Sequence, residues 1–354
     1  MTVPARWLAV DAQALRKPLT GVGRYTVNLL NALLNNYPDL GLDLITFGKA
    51  DLDLVSLLRS GHTPERVRVH RRTMPSVRLY RMGVAFRIAP RIENLFPVVR
   101  DAVGIFYPNF VSYPTRLRVP QAIVLYDATF RVFPEDKAWW FRTGWSRLMQ
   151  ISLDSTATCV TISHSAARDI GTYFRVRSPL VLIYPGLDPV TSREAPRQEN
   201  PYILVIGTES PRKNVQLVKT AHARLSPKDR PRLVFVGQGH KEDGDVEMTG
   251  FVDDAQLAEI LSGAAALVAP SRNEGFDLPV IEALAAGVPV IASDIPVHRE
   301  VLGEDWPYFF APDDVEALES LLASVPHLSA VSTPDLKRFR WDVSSRHLGD
   351  LLEL

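Results

Sequence analysis

The chain has 354 residues, with 40 Lys and Arg against 40 Asp and Glu, and 46% of its residues are hydrophobic. This length favours two domains, and the composition excludes a disordered or low-complexity protein. The single cysteine, Cys159, excludes an intrachain disulfide and a cysteine zinc cluster. No signal peptide and no apolar run of about eighteen residues is evident, which predicts a cytoplasmic protein without a membrane span.

The neutral overall charge hides an uneven distribution along the chain. Residues 1–195 contain 25 Lys and Arg against 15 Asp and Glu, which leaves 15 against 25 for the rest. The basic excess is greatest in residues 66–100, where nine arginines, interleaved with apolar residues, accompany one acid, Glu93. Nucleic acid, an anionic membrane surface and an ordinary solvated face are the alternatives that this pattern leaves open.

Short apolar runs alternate with helical stretches along the first half of the chain. The predicted strands are 7–12, 44–47, 67–70, 104–107, 122–126, 158–162 and 180–184. Helical spacing favours helices at 23–36, 135–153 and 165–173. Such alternation with unbroken apolar strands predicts a parallel sheet that is covered on both faces.

The Pro-rich stretch 188–201 separates this half from a second strand–helix alternation and is typical of a linker. Strands are predicted there at 202–206, 233–236, 266–269 and 290–292. We predict domains at 1–190 and 191–335, with a terminal helix at 336–354 that packs near the linker and can cross back to the first domain. Ligands of such sheets bind beyond the carboxyl ends of the strands.

The first turn of the second half reads "VIGTESPRKN" and precedes a helical stretch. Gly207 follows the strand, and Arg212 and Lys213 stand where the helix begins. Two cations at the positive end of a helix dipole are unfavourable unless an anion binds there. We therefore predict a diphosphate site at Arg212 and Lys213, with an exposed basic turn as the alternative.

Two glutamates, Glu274 and Glu282, lie around the start of an apolar helix in "NEGFDLPVIEALAAG". The simpler explanation is that acids favour helix N-termini. If the nearby cations hold a diphosphate, however, these carboxylates would face neutral hydroxyls, because a carboxylate accepts hydrogen bonds from vicinal OH groups. Gly275 lets the backbone approach a ligand closely. Cations for phosphates and carboxylates for diols together predict a sugar-nucleotide site.

The segment "KPLTGVGRYTVNLL" follows the first strand and opens a helix. It contains Gly21 and Gly23 but lacks the third glycine of the dinucleotide motif, and no acid ends the next strand. The segment therefore gives only weak support for an NAD-binding site. A glycine loop across the cleft from the phosphates fits better.

Together these segments resemble the GT-B nucleotide-sugar glycosyltransferases of family 4, in particular bacterial mannosyltransferase-like members. The resemblance covers nearly the whole chain and includes "TGVGRYT", "TISHSAARDI", "VLIYPGLD", "PRKN", the E-x7-E spacing within "EGFDLPVIEA", "SDIPVHREV" and "FFAPDD". It implies an α/β, GT-B fold with two Rossmann-like doubly wound parallel-sheet domains facing across a cleft. The acceptor domain would come first and the donor domain second.

The resemblance also implies roles for single residues. Arg212 and Lys213 would bind the donor diphosphate and stabilise it as the leaving group. Glu274 would contact hydroxyls of the transferred sugar, and Glu282 the ribose diol. The other donor-binding residues would be Gly21, Gly23, Tyr126, Gly207, Phe251, Val252, Gly275, Phe276, Asp277 and Leu278.

Two positions depart from the family pattern. Tyr126 stands where many relatives have a histidine that helps to hold the donor sugar, although Asp127 remains, so the sugar identity stays open. His164 does not restore that motif, because it precedes another helix. Asp277 stands where many relatives have glycine, and we interpret it as a helix cap.

Family members of this kind retain anomeric configuration, and Asp127 is the only first-half carboxylate that we place near the cleft as a nucleophile. We therefore favour front-face transfer, in which the departing donor phosphate helps to deprotonate the acceptor. We predict no cofactor and no metal, because no His, Asp or Glu cluster has metal-ligand spacing. A sugar-nucleotide epimerase and a non-catalytic nucleotide- or glycan-binding module are the alternatives.

GDP-mannose is the favoured donor, ahead of UDP-glucose and a 6-deoxyhexose nucleotide. The resemblance implies a glycan or lipid-linked saccharide acceptor in polysaccharide or glycoconjugate biosynthesis. With the basic segment, it predicts peripheral attachment to the inner face of the cell membrane through residues 66–100, and no nucleic-acid partner.

Overall fold

Contacts divide the chain into two compact units in the computed structural model. The first unit is Met1–Asp188 with Arg338–Leu354, and the second is Pro189–Lys337. The linker predicted at 188–201 lies outside the described residues. The structure describes residues 4–15, 19–48, 58, 64–72, 77–187, 202–228, 230–237, 246–250, 252–325, 328 and 334–354.

The strands of the first unit form one parallel sheet. They are β1 (Arg6–Asp11), β2 (Leu40–Phe47), β3 (Val67–Arg72), β4 (Gly104–Tyr107), β5 (Gln121–Leu125), β6 (Thr158–Thr161) and β7 (Val181–Leu182). They pair in the order β3-β2-β1-β4-β5-β6-β7. The strand order reverses between β1 and β4, and their carboxyl ends mark the position where doubly wound sheets bind ligands.

Side-chain caps fix where two helices of the first unit begin. The helices are α1 (Gly21–Asn36), α2 (Val77–Ala85), α3 (Ile92–Leu95), α4 (Thr129–Val132), α5 (Trp139–Leu153) and α6 (His164–Tyr173). Thr20 accepts a hydrogen bond from the Gly23 amide at α1, and Ser163 accepts one from the Ala166 amide at 2.8 Å at α6. The helix predicted from 135 begins later, because Pro134–Asp136 forms a 3-10 turn.

The second unit repeats the architecture. Its strands are β8 (Tyr202–Ile206), β9 (Arg232–Val236), β10 (Val246–Met248), β11 (Ala266–Ala269), β12 (Val290–Ser293) and β13 (Phe309–Phe310), in the order β10-β9-β8-β11-β12-β13. Its helices are α7 (Val215–Arg224), α8 (Asp254–Ser262), α9 (Leu278–Ala285), α10 (Pro296–Leu302) and α11 (Val315–Ala323). The order reverses between β8 and β11. The predicted fold class, parallel α/β sheets in two units, is confirmed.

The terminal helix α12 (Trp341–Leu351) belongs to the first unit. Asn36, at the end of α1, donates to the Asp342 carbonyl at 2.8 Å and to the Ser345 hydroxyl at 2.7 Å. The Trp341 ring lies edge-on to Tyr25 of α1, with 5.4 Å between ring centroids. The end of the chain therefore completes the layer of helices on the first sheet.

The sequence prediction missed part of β2 and all of β10 and β13. Two features hide the start of β2: Gly41 packs against the Trp7 ring, and Asp43 is a buried acid paired with Arg68 at 3.0 Å. The other two strands are three and two residues long, too short for an alternating pattern to be visible.

Candidate active site

The predicted phosphate-binding cations lie in the turn between β8 and α7. The Lys213 side chain runs over Gly207, where a Cβ would come within 3.3 Å of its carbons. Gly237, which follows β9, packs against the Gly207 backbone, because a Cβ on Gly237 would clash with the Gly207 carbonyl oxygen. Both glycines have positive φ. The strand ends can therefore approach closely enough to hold the Lys213 stem.

Glu274 lies between the two cations. One carboxylate oxygen, Oε1, is 2.7 Å from both Arg212 Nη1 and Lys213 Nζ, and it also accepts the Ser271 hydroxyl at 2.7 Å. The Arg212 guanidinium donates to the Asn273 carbonyl at 2.9 Å as well. The turn after β8 and the loop after β11 thus form one charged cluster at the carboxyl ends of both strands.

This geometry corrects one step of the sequence argument. We predicted that an external anion would bind Arg212 and Lys213 and that the Glu274 carboxylate would face neutral hydroxyls. In the structure Glu274 itself is the anion, because the loop after β11 returns beside the cations. Lys213 and Ser271 line a pocket together with the ends of β8 and β11.

Asp277 occupies the N-cap position of α9 but does not cap the helix. Its backbone is left-handed, with φ 70° and ψ 67°, and its side chain makes no capping hydrogen bond. The carboxylate instead lies 3.9 Å from Lys213 Nζ and 3.0 Å from Nε2 of His298. The helix-cap interpretation is therefore wrong, and Asp277 belongs to the charged cluster.

The cluster shifts the pKa of each of three members. Burial alone would raise the pKa of Glu274, but Lys213 and Arg212 outweigh it and lower this pKa. Burial likewise opposes ionisation of Asp277, yet Lys213 and the hydrogen bond from His298 lower its pKa to about 2. For Lys213, burial lowers the pKa, and the charges of Glu274 and Asp277 reverse the effect and raise it. All three groups are therefore held in their charged forms.

Sequence reasoning missed His298, the fully buried side chain behind Asp277. It lies on α10, and its Nδ1 is 2.8 Å from the Ser293 carbonyl oxygen. The Ser293 hydroxyl in turn donates to the Ser271 carbonyl at 2.5 Å. The segment "SDIPVHREV" contributed to the family resemblance, but nothing in its spacing singled out the histidine.

The remaining second-unit predictions are distributed around the start of α9 and before α8. Gly275 and Phe276 are buried in the loop, Leu278 begins α9, and Glu282 is half-buried one turn further along. Val252 directly precedes the capping box of α8. Phe251 lies outside the described residues.

In the first unit, the glycine loop lies where the sequence placed it, at the start of α1 after β1. A Cβ on Gly23 would meet the Ala14 carbonyl at 2.9 Å, whereas one on Gly21 would meet nothing within 4 Å. Gly23 is therefore required by the packing of its own loop. Gly21 leaves open space at the surface, and its donor role stays a prediction.

The Tyr126 side chain lies in the core of the first unit. Its hydroxyl donates to the Pro108 carbonyl at 2.9 Å, and burial raises the pKa of this phenol well above its usual range. Asp127 is half-buried after β5 and accepts the Thr129 amide at 2.9 Å. His164 is the exposed first residue of α6, as expected.

Within the described part of the chain, no group of three or more His, Cys, Asp or Glu side chains is placed to hold a metal ion. Nor does any described helix have the length and apolar character needed to cross a membrane.

Comparisons with known proteins find glycosyltransferase relatives of this chain. Residues 200–325 match the family described as glycosyl transferases group 1. O-antigen chain mannosyltransferase B of Escherichia coli is 26% identical over 93% of this chain and 95% of its own. O-antigen chain mannosyltransferase RfbU of Salmonella typhimurium is 28% identical over 51% of this chain and 54% of its own. Among solved structures, sucrose-phosphate synthase of Thermosynechococcus elongatus superposes with a TM-score of 0.73 at 18% identity, covering 98% of each chain.

These matches and the two parallel sheets define a GT-B glycosyltransferase, as the sequence predicted. The chain carries a group 1 glycosyltransferase domain, and it is an enzyme that transfers a sugar. The charged cluster of Arg212, Lys213, Glu274 and Asp277 lies within that domain.

Proposed function

We propose that this enzyme is a retaining mannosyltransferase that uses GDP-mannose as donor and a glycan or lipid-linked saccharide as acceptor. The observation that carries the proposal is the convergence of Arg212 and Lys213 on one oxygen of Glu274. A guanidinium and an ammonium that bind the same anion form a site suited to a diphosphate. The mannosyltransferase relatives support the choice of sugar.

Donor binding exchanges one anion for another at the cations. The diphosphate would take the place that the Glu274 carboxylate occupies between Arg212 and Lys213. Glu274 would then accept hydrogen bonds from sugar hydroxyls, and Glu282 from the ribose diol. The Glu274 carboxylate, which both cations bind, thus occupies the position that we propose for the donor phosphate.

During sugar transfer, negative charge develops on the diphosphate that leaves the sugar. The bond between the sugar anomeric carbon and the diphosphate oxygen breaks, and Arg212 and Lys213 stabilise the negative charge on the leaving group. The acceptor oxygen attacks the same face and passes its proton to the departing phosphate oxygen, so configuration is retained. The covalent alternative would require Asp127 on the opposite face as nucleophile.

The donor assignment is tested by thermal shift with GDP-mannose, UDP-glucose and a dTDP-6-deoxyhexose, because a bound ligand raises the melting temperature. We expect GDP-mannose to give the largest shift. Transfer from it should fall on the order of 100-fold in Arg212→Ala and Lys213→Ala, as on loss of a contact to developing charge. Arg224→Ala, at the far end of α7, serves as the control. Near-normal turnover in both site variants, or release of free sugar without acceptor, would contradict the proposal.

A metal-independent reaction is also part of the proposal, because two cations at the diphosphate supply the neutralisation that a metal gives in other transferases. Transfer should therefore persist in EDTA. Activity that disappears and returns with manganese or magnesium would refute this point.

We propose membrane attachment through a face that includes only part of residues 66–100 and adds the start of α5. Arg66 donates to three backbone carbonyls, and Arg68 stacks over the Trp7 ring and pairs with Asp43, so both serve the fold. Helix α2, the turn that follows it and helix α5 instead present exposed apolar side chains: Leu79, Met82, Phe86, Ile88, Trp139 and Trp140. Arg147 of α5 joins the helices by donating to the Ala85 carbonyl at 2.5 Å. An apolar face beside exposed Arg78 and Arg87 suits an anionic lipid surface.

Co-sedimentation with vesicles tests this face. Each basic residue near an anionic surface contributes roughly 1 kcal/mol, so binding should require anionic lipid and weaken with salt. The double variants Phe86→Ser/Ile88→Ser and Trp139→Ser/Trp140→Ser should each lose binding. Tyr173→Ser, which changes an exposed aromatic on α6, should not. Equal binding to neutral vesicles, or none to either kind, would favour a soluble acceptor.

A further inference from the structure

Arg272, in the loop after β11, binds the turn that carries Arg212. Its backbone amide donates to the Arg212 carbonyl at 2.8 Å, and its guanidinium donates through Nη1 to the Pro211 carbonyl at 2.6 Å. In the opposite direction, the Arg212 guanidinium donates to the Asn273 carbonyl at 2.9 Å. Each loop thus has an arginine that binds the main chain of the other, and these contacts fix the two loops side by side.

A third loop, after β13, is tied to the same turn. Asp313 accepts two hydrogen bonds from the Arg272 guanidinium, at 3.0 and 2.6 Å. The neighbouring Pro312 carbonyl accepts the Asn214 side-chain amide at 2.6 Å. Asn214 is buried and has a left-handed backbone, with φ 52°, and its side chain makes no capping hydrogen bond to α7. The turn between β8 and α7 is therefore held on both sequence flanks of its two cations.

The ion pair in this network is poorly suited to a purely stabilising role. The Asp313 side chain is 74% exposed and the Arg272 side chain 33%. An ion pair with such access to water contributes little to folding stability. It does provide direction, because Asp313 binds two nitrogens of the planar Arg272 fork while the third, Nη1, donates to the Pro211 carbonyl. The main chain beside Arg212 is held as a result.

The proposed donor exchange makes this hold important. Glu274 Oε1 lies 2.7 Å from the Arg212 guanidinium and is one of the groups that fix that side chain. When the diphosphate takes the place of the carboxylate, this contact is lost while the guanidinium must stay in position. A guanidinium on a loosely held turn would have to be ordered by the ligand, which weakens binding. Arg272 binds Pro211, Arg212 and Asp313, so its contacts can persist through the exchange.

We propose that Arg272 positions Arg212 for the donor diphosphate by fixing the main chain of the turn before α7. The inference rests on the proposed function, because it takes Arg212 as a diphosphate ligand. Arg272 is a positioning residue in this scheme and does not touch the donor. It stands two residues before Glu274, so one loop supplies both the carboxylate that occupies the site and the arginine that holds the Arg212 turn.

The test measures the binding of inorganic pyrophosphate and of GDP by calorimetry in the full chain. Arg272→Ala should weaken both ligands by about tenfold. Arg272→Lys should weaken them similarly, because an ammonium keeps the charge but lacks the planar fork that spans the Pro211 carbonyl and Asp313. Arg299→Ala, which removes a similarly exposed arginine paired with two acids of the same unit, should bind as the wild type does. Wild-type binding in either Arg272 variant would overturn the inference.

A double-mutant cycle separates positioning from direct binding and from a general structural role. If Arg272 acts through Arg212, Arg272→Ala should add no more than about twofold to the loss in Arg212→Ala. In Lys213→Ala, by contrast, Arg272→Ala should keep its full effect. An equal further loss in both backgrounds would mean that Arg272 binds the ligand itself or supports the whole unit, and that result would refute the inference.

Arg212→Ala distinguishes failure of this inference from failure of the proposed function. If that variant binds pyrophosphate and GDP as the wild type does, the diphosphate assignment fails and the inference fails with it. If Arg212→Ala loses binding while Arg272→Ala keeps it, only the inference fails.

Discussion

At the scale of single residues, the electrostatics of the candidate active site depend on two carboxylates, Glu274 and Asp277. Both carboxylates are buried: Glu274 lies between Arg212 and Lys213, and Asp277 lies beside Lys213. Breaking a buried pair costs more than the pair contributes, because the remaining charge has lost its partner in a medium that solvates it poorly. Variants in this cluster should therefore be compared by folding as well as by turnover, Lys213→Ala in particular.

Acid should destabilise the protein through Asp277. Its pKa in the folded protein is about 2, below the ordinary value of 3.8, so its contribution is complete above pH 4 and is lost as the pH falls towards 2. A shift of this size corresponds to roughly 2 kcal/mol. The loss of unfolding free energy between pH 5 and pH 2, measured by urea denaturation, should be smaller in Asp277→Asn than in the wild type. Asp305→Asn, on an exposed turn, is the control, and an equal acid loss in all three would contradict the assignment.

At the scale of elements, close contact between helices and strand ends is obtained by glycines. Gly186 follows β7 and lies against the start of α12, where a Cβ would be 2.2 Å from the Trp341 amide nitrogen. That contact involves backbone on both sides, so neither partner can turn away. The docking of α12 on the first unit therefore depends on a position without a side chain.

Gly186→Ala should lower the melting temperature of the full chain, because the methyl group would force α12 away from β7. Gly144→Ala is the matched control: Gly144 lies inside α5, an added methyl group there would meet nothing within 4 Å, and alanine favours helix by up to about 1 kcal/mol. Calorimetry should show opposite signs for the two variants. A stable Gly186→Ala protein would contradict the close approach.

At the scale of the whole molecule, the two units contain different proposed sites. The charged cluster lies entirely within the second unit, and the face proposed for lipid lies entirely within the first. The opposite charges of the two halves of the chain agree with this division, since the basic half contains the proposed lipid face.

We therefore expect the isolated segment 198–337 to fold and to bind GDP, more weakly than the full chain and without sugar transfer. Each sheet has its own apolar core, so the segment does not need the first unit to bury its strands. Calorimetry with GDP on the segment and on its Lys213→Ala variant is the measurement. Binding that is absent, or that does not depend on Lys213, would show that the diphosphate site needs more than this unit.

The sequence by itself determined the fold class, most strand positions and the residues of the charged cluster. Unbroken apolar runs of four to eight residues predict parallel strands because both faces of such a strand are buried. Arg212 and Lys213 were found because two cations at a helix start are unfavourable without an anion, and Glu274 because a nearby carboxylate can accept hydrogen bonds from sugar hydroxyls. These are local patterns, and local chemistry suffices to identify them.

Only the tertiary structure decided which charges meet. Glu274 pairs with Arg212 and Lys213 because the parallel order of β8 and β11 brings their carboxyl ends together, and Asp277 meets His298 because α9 and α10 follow neighbouring strands. Sequence spacing carries no information about such contacts. Asp277 was therefore misread as a cap and His298 was overlooked, since a charged side chain acquires its role from the partners that the fold places beside it.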